Sequence, residues 1–248
     1  MKVIEFGKEN EKVAMFLHGG GLSWWNYKDV AECLKNDFHV ILPILDGHAD
    51  SDQSFVSIEE NARRIIAYID ESYSGSVAIL GGLSLGAQIL VEILSQRPDI
   101  CQAAMIESAL VKPMKMTHHM VKLMMDMSYG LIEKEWFAKL QFASLKMKPD
   151  LFEEYYEDTC KISKSDMTAF LEANSWYVVK KSIAETKARV HICVGQREAG
   201  IMIKSARVLH DLIPNSSMEI MQGLYHGEYS INHPRKYVAK IKELIKDC

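Results

Sequence analysis

The chain has 248 residues, of which 48% are hydrophobic and 25% charged, and its formal net charge is −4 at neutral pH. This length and balance predict one large α/β domain with room for an inserted subdomain, and the weak negative charge argues against nucleic acid or an anionic membrane as a partner. The first ten residues lack the apolar core of a signal peptide, and no run of about 18 apolar residues occurs. We therefore expect a cytoplasmic protein without a membrane span.

The amino-terminal third alternates short apolar runs with helical patterns. Strands are predicted at residues 2–6, 12–17 and 39–45, and helices at residues 26–35 and from Ser57 onward. The second strand runs into His18-Gly19-Gly20-Gly21, and the third ends at Asp46-Gly47-His48. Glu60 follows Ser57 by three residues, which is the spacing of a capping box at a helix start.

The stretch from Ser76 to Gln88 changes from an apolar, β-branched run into a helix. Between the two lies Gly82-Leu83-Ser84-Leu85-Gly86, a G-x-S-x-G pentapeptide at a strand-to-helix turn. Such a turn is typical of a nucleophile elbow, in which a strained backbone holds a serine hydroxyl out at the carboxyl edge of a sheet. The alternative is a glycine-rich turn whose serine only caps the helix.

The remaining strands and helices continue the alternation, with one long interruption. Strands are predicted at residues 101–106, 189–194 and 217–221, and helices at residues 203–213 and from Pro234. Residues 111–184 are helical in character and hold eight of the fourteen methionines. The pattern predicts an α/β fold with a mostly parallel central sheet flanked by helices, formed by residues 1–110 and 185–248, and an inserted helical cap at residues 111–184.

Five cysteines lie far apart in the sequence: Cys33, Cys101, Cys160, Cys193 and Cys248. Their number is odd, and none forms a C-x-x-C pair. We expect buried or incidental thiols in a reducing compartment, not a disulfide framework or a zinc site. Because the histidines are dispersed and no phosphate-binding loop is present, we predict neither a metal nor a cofactor.

Among nine histidines, His226 is the best candidate for a base that would activate Ser84. It follows the last predicted strand in a loop flanked by Gly223 and Gly227, at the edge to which parallel strands deliver their carboxyl ends. His191 and His210 fall inside a strand and a helix, where a structural role is expected. A histidine in a loop is otherwise usually a solvated side chain.

The base also needs a carboxylate to orient its ring and stabilise the imidazolium. Glu198 is the leading candidate because it follows the strand at residues 189–194, although it could be a surface carboxylate next to Arg197. Glu107 ends the preceding sheet strand and is the rival. Less favoured are Asp46 and Asp50, which follow an earlier strand.

A reaction at an acyl carbon requires donors for the developing oxyanion, and two backbone amides are in suitable places. Leu85 directly follows Ser84, and Gly20 lies in the glycine loop after the second strand. Glycines allow backbone amides to face a ligand without interference from side chains. The alternative is a flexible turn anchored by His18.

Taken together, the H-G-G-G loop, Asp46-Gly47-His48, the G-L-S-L-G turn, the late acid and the late histidine resemble the α/β-hydrolase fold family. The resemblance covers nearly the whole chain outside the inserted helices. It implies a serine-hydrolase triad in the order Ser84, Glu198, His226, on a sheet of the eight-stranded type that lacks some early strands. The acid is a glutamate where many relatives carry aspartate. The inserted segment matches no motif from which a substrate can be inferred.

Aromatic and methionine side chains near the expected site suggest an apolar substrate. The predicted substrate-binding residues are Trp24, Trp25, Met114 and Trp136, and the alternative is that they form the core of the cap. The leading hypothesis is a carboxylesterase that cleaves a small to medium ester with an apolar acyl or aryl group. The same scaffold could support an acyltransferase, a C–C hydrolase, a lyase or a non-catalytic small-molecule binding protein.

Overall fold

The computed structural model describes residues 1–246. Its centre is a seven-stranded sheet in the order β1-β3-β2-β4-β5-β6-β7. The strands are β1 (Val3–Phe6), β2 (Val13–Leu17), β3 (His39–Pro43), β4 (Val77–Leu83), β5 (Cys101–Glu107), β6 (Arg189–Gly195) and β7 (Ser216–Met221). Only β1 is antiparallel to its neighbour, and every other pair is parallel. The predicted mostly parallel α/β fold is confirmed.

Ten α-helices are formed by residues 1–246, and those outside the inserted segment cover both faces of the sheet. They are α1 (Lys28–Leu34), α2 (Ile58–Ser72), α3 (Leu85–Gln96), α4 (Lys115–Ser128), α5 (Glu135–Leu145), α6 (Phe152–Lys161), α7 (Lys164–Trp176), α8 (Gly200–Leu212), α9 (Glu228–Asn232) and α10 (Pro234–Lys246). Buried side chains of α2, α3 and α8 belong to one core cluster, and those of α1 and α10 belong to another. The sheet therefore separates two hydrophobic layers.

The strand side chains alternate between these layers, as the period of two in an extended chain requires. In β2, Met15 and Leu17 contribute to the layer under α2 and α3, whereas Ala14 and Phe16 contribute to the layer under α1 and α10. Every residue of the central strand β4 is buried. A strand covered on both faces leaves no place for a polar side chain, which is why β4 consists of apolar residues and glycine.

The first strand pairs with β3, so β1 is an edge strand and is not adjacent to β2. Two details differ from the sequence-based expectation. The helix expected at residues 26–35 is a 3₁₀ helix (Trp24–Tyr27) followed by α1. Helix α8 begins at Gly200, three residues before the predicted start. Such boundaries depend on contacts that a local pattern does not contain.

Residues 111–184, called here the inserted segment, contain helices and turns without a strand, and they connect the adjacent strands β5 and β6. Gln88 of α3 holds both ends of this segment, because its Nε2 donates to the carbonyl oxygens of Leu110 (2.6 Å) and Asn174 (2.9 Å). Asn174 Nδ2 donates in return to Gln88 Oε1 at 2.7 Å. The helix that starts behind Ser84 thus also anchors the inserted segment.

The helices of residues 1–246 include none long and apolar enough to cross a bilayer. Four cysteines in this range are free thiols: Cys101 and Cys193 are buried, Cys33 is exposed and Cys160 is partly buried. Cys248 lies outside the described residues.

Candidate active site

Loops at the carboxyl ends of five strands converge on one edge of the sheet. Strand β2 leads into the loop at residues 18–21, β3 into His48, β4 into Ser84, β6 into Glu198 and β7 into His226. Parallel strands deliver their carboxyl ends to the same edge, which is where α/β sheets bind ligands. The chain therefore brings side chains that are far apart in sequence into one site.

Ser84 occupies a strained turn between β4 and α3. Its φ of 54° and ψ of −113° lie in a region that costs a non-glycine residue on the order of 1–3 kcal/mol. The turn is possible because both flanking glycines touch backbone. A Cβ atom on Gly82 would lie 2.5 Å from the carbonyl oxygen of Gly86, and one on Gly86 would lie 2.1 Å from that of Leu17. The G-x-S-x-G spacing is thus a steric requirement of this turn.

His226 is paired with Glu198. The ring Nδ1 donates to Glu198 Oε2 at 2.6 Å, which leaves Nε2 as the nitrogen with a free lone pair. The other carboxylate oxygen accepts from the backbone amide of Gly195 at 2.6 Å and from the hydroxyl of Ser108 at 2.7 Å. The Glu198 side chain is only 1% exposed. Three hydrogen bonds therefore hold the carboxylate in one orientation against the imidazole.

The pair also shifts its own protonation equilibria. Burial opposes the charge of His226, but the hydrogen bond and the charge of Glu198 raise the pKa of His226 above its ordinary value. Burial likewise opposes the charge of Glu198, yet the bonds from His226, Ser108 and Gly195 hold the pKa of Glu198 below its ordinary value. A negative carboxylate is therefore maintained behind the ring, as a base that becomes an imidazolium requires.

Ser84 and His226 line the same cavity, which has a volume of about 220 Å³ and also includes Gly19, Gly20 and Leu22 in its wall. Within residues 1–246, Ser84 Oγ makes no hydrogen bond, either to His226 or to another group. Catalytic hydrogen bonds are often long or misaligned without substrate and tighten in the complex. The hydroxyl thus has no partner within the described part of the chain that would hold it in one orientation.

Glu107, the rival acid, is buried and does not bond to His226. Its Oε1 accepts from the backbone amide of Ser230 at 3.3 Å, and burial raises the pKa of Glu107 to about 7. Of the two glutamates, Glu198 is the one that the fold places against the imidazole. Asp46 forms an ion pair with Arg64, and Asp50 forms one with Lys2.

The glycine loop after β2, residues 18–21, uses two of its amides internally. The amide of Gly19 donates to Asn26 Oδ1 at 3.0 Å, and that of Gly21 donates to His48 Nε2 at 3.1 Å. Among residues 1–246, the amide of Gly20 has no protein acceptor. Leu85 is the first residue of α3, so its amide also lacks a helical partner. Both amides are therefore free donors close to Ser84.

His48 is a residue whose role the sequence analysis did not identify. Its ring accepts from Gly21 through Nε2 and donates from Nδ1 to the carbonyl oxygen of Asp46 at 3.0 Å. Complete burial lowers the pKa of His48 to about 4, so the ring is neutral at neutral pH and can accept the Gly21 hydrogen. The ring also stacks on Phe170 of α7, with centroids 4.8 Å apart. The available signal was the Asp46-Gly47-His48 turn a few residues after a sheet strand.

The four predicted substrate-binding residues are placed in different environments. Met114 lines an apolar cavity of about 250 Å³ within the inserted segment. Trp25 is buried in the layer under α1, where its Nε1 donates to Asp158 Oδ2 at 2.9 Å. Trp24 packs against the same layer, and Trp136 is 62% exposed on α5. None of these tryptophans lines the cavity that contains Ser84.

Solved structures from several organisms share this fold over almost their whole length. An esterase from Thermogutta terrifontis superposes with a TM-score of 0.80 at 15% identity, covering 99% of this chain and 93% of that one. MenH from S. aureus superposes with a TM-score of 0.78 at 18% identity, covering 99% of this chain and 97% of that one. An α/β hydrolase family protein from Desulfitobacterium hafniense superposes with a TM-score of 0.77 at 23% identity, covering 98% of this chain and 100% of that one. At these identities the likeness establishes the fold alone.

Comparison with curated protein sequences finds no match. The sequence profile described as serine aminopeptidase, S33, matches residues 8–229, which is most of the chain and includes all of the loops described above. The chain therefore belongs to the serine aminopeptidase S33 family of α/β hydrolases.

Proposed function

We propose that this protein is a serine hydrolase that cleaves uncharged carboxylic esters with apolar acyl or aryl groups through an acyl-enzyme. The observation that carries the proposal is the position of His226: its Nδ1 is bonded to the buried Glu198, and its ring lines one cavity with Ser84. A serine hydroxyl is a weak nucleophile until a base takes its proton, and this pairing supplies an oriented base.

In the proposed reaction, Ser84 Oγ attacks the ester carbonyl carbon while His226 Nε2 accepts the hydroxyl proton. The tetrahedral intermediate collapses when the imidazolium gives that proton to the leaving alcohol oxygen. Water then attacks the acyl-enzyme by the same route, with His226 again as base, and releases the carboxylic acid. Glu198 stays ionised and stabilises the imidazolium in both halves.

The free amides of Gly20 and Leu85 are the proposed oxyanion donors. Neither amide has a partner among residues 1–246. A Cβ built on Gly20 would lie 3.4 Å from the Leu85 side chain, so the two residues are neighbours. One donor of this kind is typically worth about 10²–10³ in turnover.

The cavity walls favour an ester over a peptide with a free amino terminus. An aminopeptidase must hold an ammonium group, and a buried ammonium needs a carboxylate or several acceptors. In the part of the chain that the structure describes, no Asp or Glu side chain lines the Ser84 cavity or the neighbouring cavity of about 310 Å³. We therefore propose an uncharged substrate, although the family is named for aminopeptidases.

The test is hydrolysis of p-nitrophenyl butyrate by the wild type and by S84A. We expect S84A to lose turnover and labelling by a fluorophosphonate probe while its thermal unfolding stays unchanged. The matched control is S95A, because Ser95 lies on the same helix and its hydroxyl bonds only to the carbonyl oxygen of Val91. Activity that persists in S84A would refute the proposal.

Two further measurements separate the alternatives on this scaffold. An acyltransferase would convert the ester to a new ester or thioester when an alcohol or thiol acceptor is added, whereas a hydrolase releases the acid. A protein that only binds small molecules would not be labelled at Ser84 by the fluorophosphonate.

A further inference from the structure

Three cavities follow one another from Ser84 into the inserted segment. The reaction cavity, of about 220 Å³, contains Ser84 and His226. The middle cavity, of about 310 Å³, shares Gly20, Leu22 and Leu145 with it. The far cavity, of about 250 Å³, shares Ile132, Gln141, Met167 and Leu171 with the middle one. Neighbouring cavities therefore share wall residues, most of which carry apolar side chains.

The walls of this series are built for a hydrocarbon. Among residues 1–246, no Asp, Glu, Lys or Arg side chain lines any of the three cavities. Two of the polar wall residues use their hydroxyl hydrogens within the protein: Ser128 Oγ donates to the carbonyl oxygen of Met124 at 2.7 Å, and Ser144 Oγ to that of Gln141 at 2.6 Å. A charged group would find no countercharge in these walls, whereas methylene groups need none.

The position of His226 determines which side of the reaction cavity holds each half of the ester. His226 must protonate the leaving alcohol, so the alcohol lies on the histidine side of the reaction cavity, whose wall includes Gly227, Ile231 and Met147. The acyl group extends to the opposite side, where Gly20 and Leu22 line both the reaction cavity and the middle cavity.

We propose that the substrate is an ester of a long, unbranched fatty acid, whose acyl chain runs from Ser84 through the middle cavity into the far cavity. This inference rests on the proposed function and narrows its substrate class. Methionines suit such a path because their unbranched side chains adapt to a flexible ligand, and Met114, Met124, Met125 and Met167 line the far cavity. Burial of each added methylene should raise kcat/KM by about fourfold, the equivalent of about 0.8 kcal/mol.

The experiment measures kcat/KM for p-nitrophenyl acetate, butyrate, octanoate, dodecanoate and palmitate. In the wild type, we expect values that rise beyond butyrate. The variant L171W places an indole at the junction of the middle and far cavities, at a position that is 37% exposed and tolerates a larger side chain. We expect its ratio of dodecanoate to butyrate kcat/KM to fall at least tenfold. T117W, which fills the far cavity from α4, should lower the same ratio.

The matched control is L140W, because Leu140 is 64% exposed on α5 and lines none of the three cavities. Its ratio should equal that of the wild type. The inference is overturned if kcat/KM falls steadily beyond butyrate in the wild type. It is also overturned if folded L171W and T117W both keep the wild-type ratio.

A binding measurement distinguishes failure of the path from failure of the reaction. With S84A as the background, a fluorescent dodecanoate ester should bind more tightly than the matching butyrate ester, and L171W should remove the difference. Chain-length-dependent binding without turnover in the wild type would refute the hydrolase and retain the path. Turnover of short esters without chain-length dependence would refute the path and retain the hydrolase.

Discussion

The hydrogen bond from the Gly21 amide to His48 leads to a specific prediction about the glycine loop at residues 18–21, which contains the proposed oxyanion donor Gly20. The loop at residues 18–21 has one amide held by Asn26 and one by His48, with the Gly20 amide free between them. The variant H48L removes the acceptor for Gly21 while it keeps an apolar side chain against Phe170. We expect the loop to lose its orientation and the Gly20 amide to move from its place beside Ser84.

The magnitude follows from the burial of the bond. His48 is only 3% exposed, and a donor left unsatisfied in such a place costs about 1–3 kcal/mol. If that cost is relieved by a shift of the loop, kcat should fall by about tenfold to hundredfold. The complete loss of one oxyanion donor, about 10²–10³, sets the upper limit. KM should change little, because the oxyanion forms only in the transition state.

The assay combines steady-state hydrolysis of a butyrate ester with inhibition by a trifluoromethyl ketone, which forms a tetrahedral adduct with the serine. In H48L, the inhibitor affinity should fall by the same factor as kcat. The variant H48Q should recover part of the loss, because its amide oxygen can accept from Gly21. The control H210L removes an exposed histidine of α8 that bonds to Ser216, far from the loop. Unchanged kcat in folded H48L, or equal impairment in H48Q and H48L, would refute the reasoning.

Three further predictions test the triad, the elbow and the anchoring of the inserted segment. His226 must be neutral to act as base, and its pKa is raised, so kcat/KM should fall with decreasing pH at a midpoint above pH 6.5. E198Q should lower kcat and move this midpoint to lower pH, because the carboxylate that raises the pKa is gone. A midpoint that stays in place would contradict the pairing. In G86A, the new Cβ would lie 2.1 Å from a backbone oxygen, so the free energy of unfolding should fall by about 1–3 kcal/mol in urea titrations. Lys180 forms an ion pair with the buried Glu92. In the same titrations, K180M should lower the free energy of unfolding by about 1–3 kcal/mol, because it leaves the buried carboxylate without its cation. E92Q should lower it less, because it removes the buried charge.

Much of the fold could be predicted because its signals are local. The apolar run before Ser84, the glycines at positions 82 and 86, and Pro234 at the start of α10 each restrict a few residues to one conformation. Local signals did not show which strands pair with each other. Strand β1 pairs with β3 across more than thirty intervening residues, and its sequence contains no signal for that choice.

The site shows the same limit. Glu107 ends β5 and Glu198 follows the end of β6 by three residues, and the sequence offered no distance by which to choose between them. The structure puts Glu198 Oε2 at 2.6 Å from His226 Nδ1, whereas the buried Glu107 accepts from the amide of Ser230. Ser108 and His48 were not identified, because their contributions are hydrogen bonds to residues 90 and 27 positions away. The catalytic roles of Ser84, Glu198 and His226 stay predictions until the variants are measured.

By itself, the sequence determined the alternation of strands and helices, the strained turn at Ser84 and the set of side chains that could act there. These properties depend on backbone sterics and on the periodicity of apolar residues, both of which operate over a few neighbouring positions. The tertiary structure alone decided which carboxylate faces the imidazole, which amide of the glycine loop stays free, and which cavities share wall residues. Those outcomes depend on the register of the sheet and on the packing of residues 111–184 over its edge, which are set by contacts between distant parts of the chain.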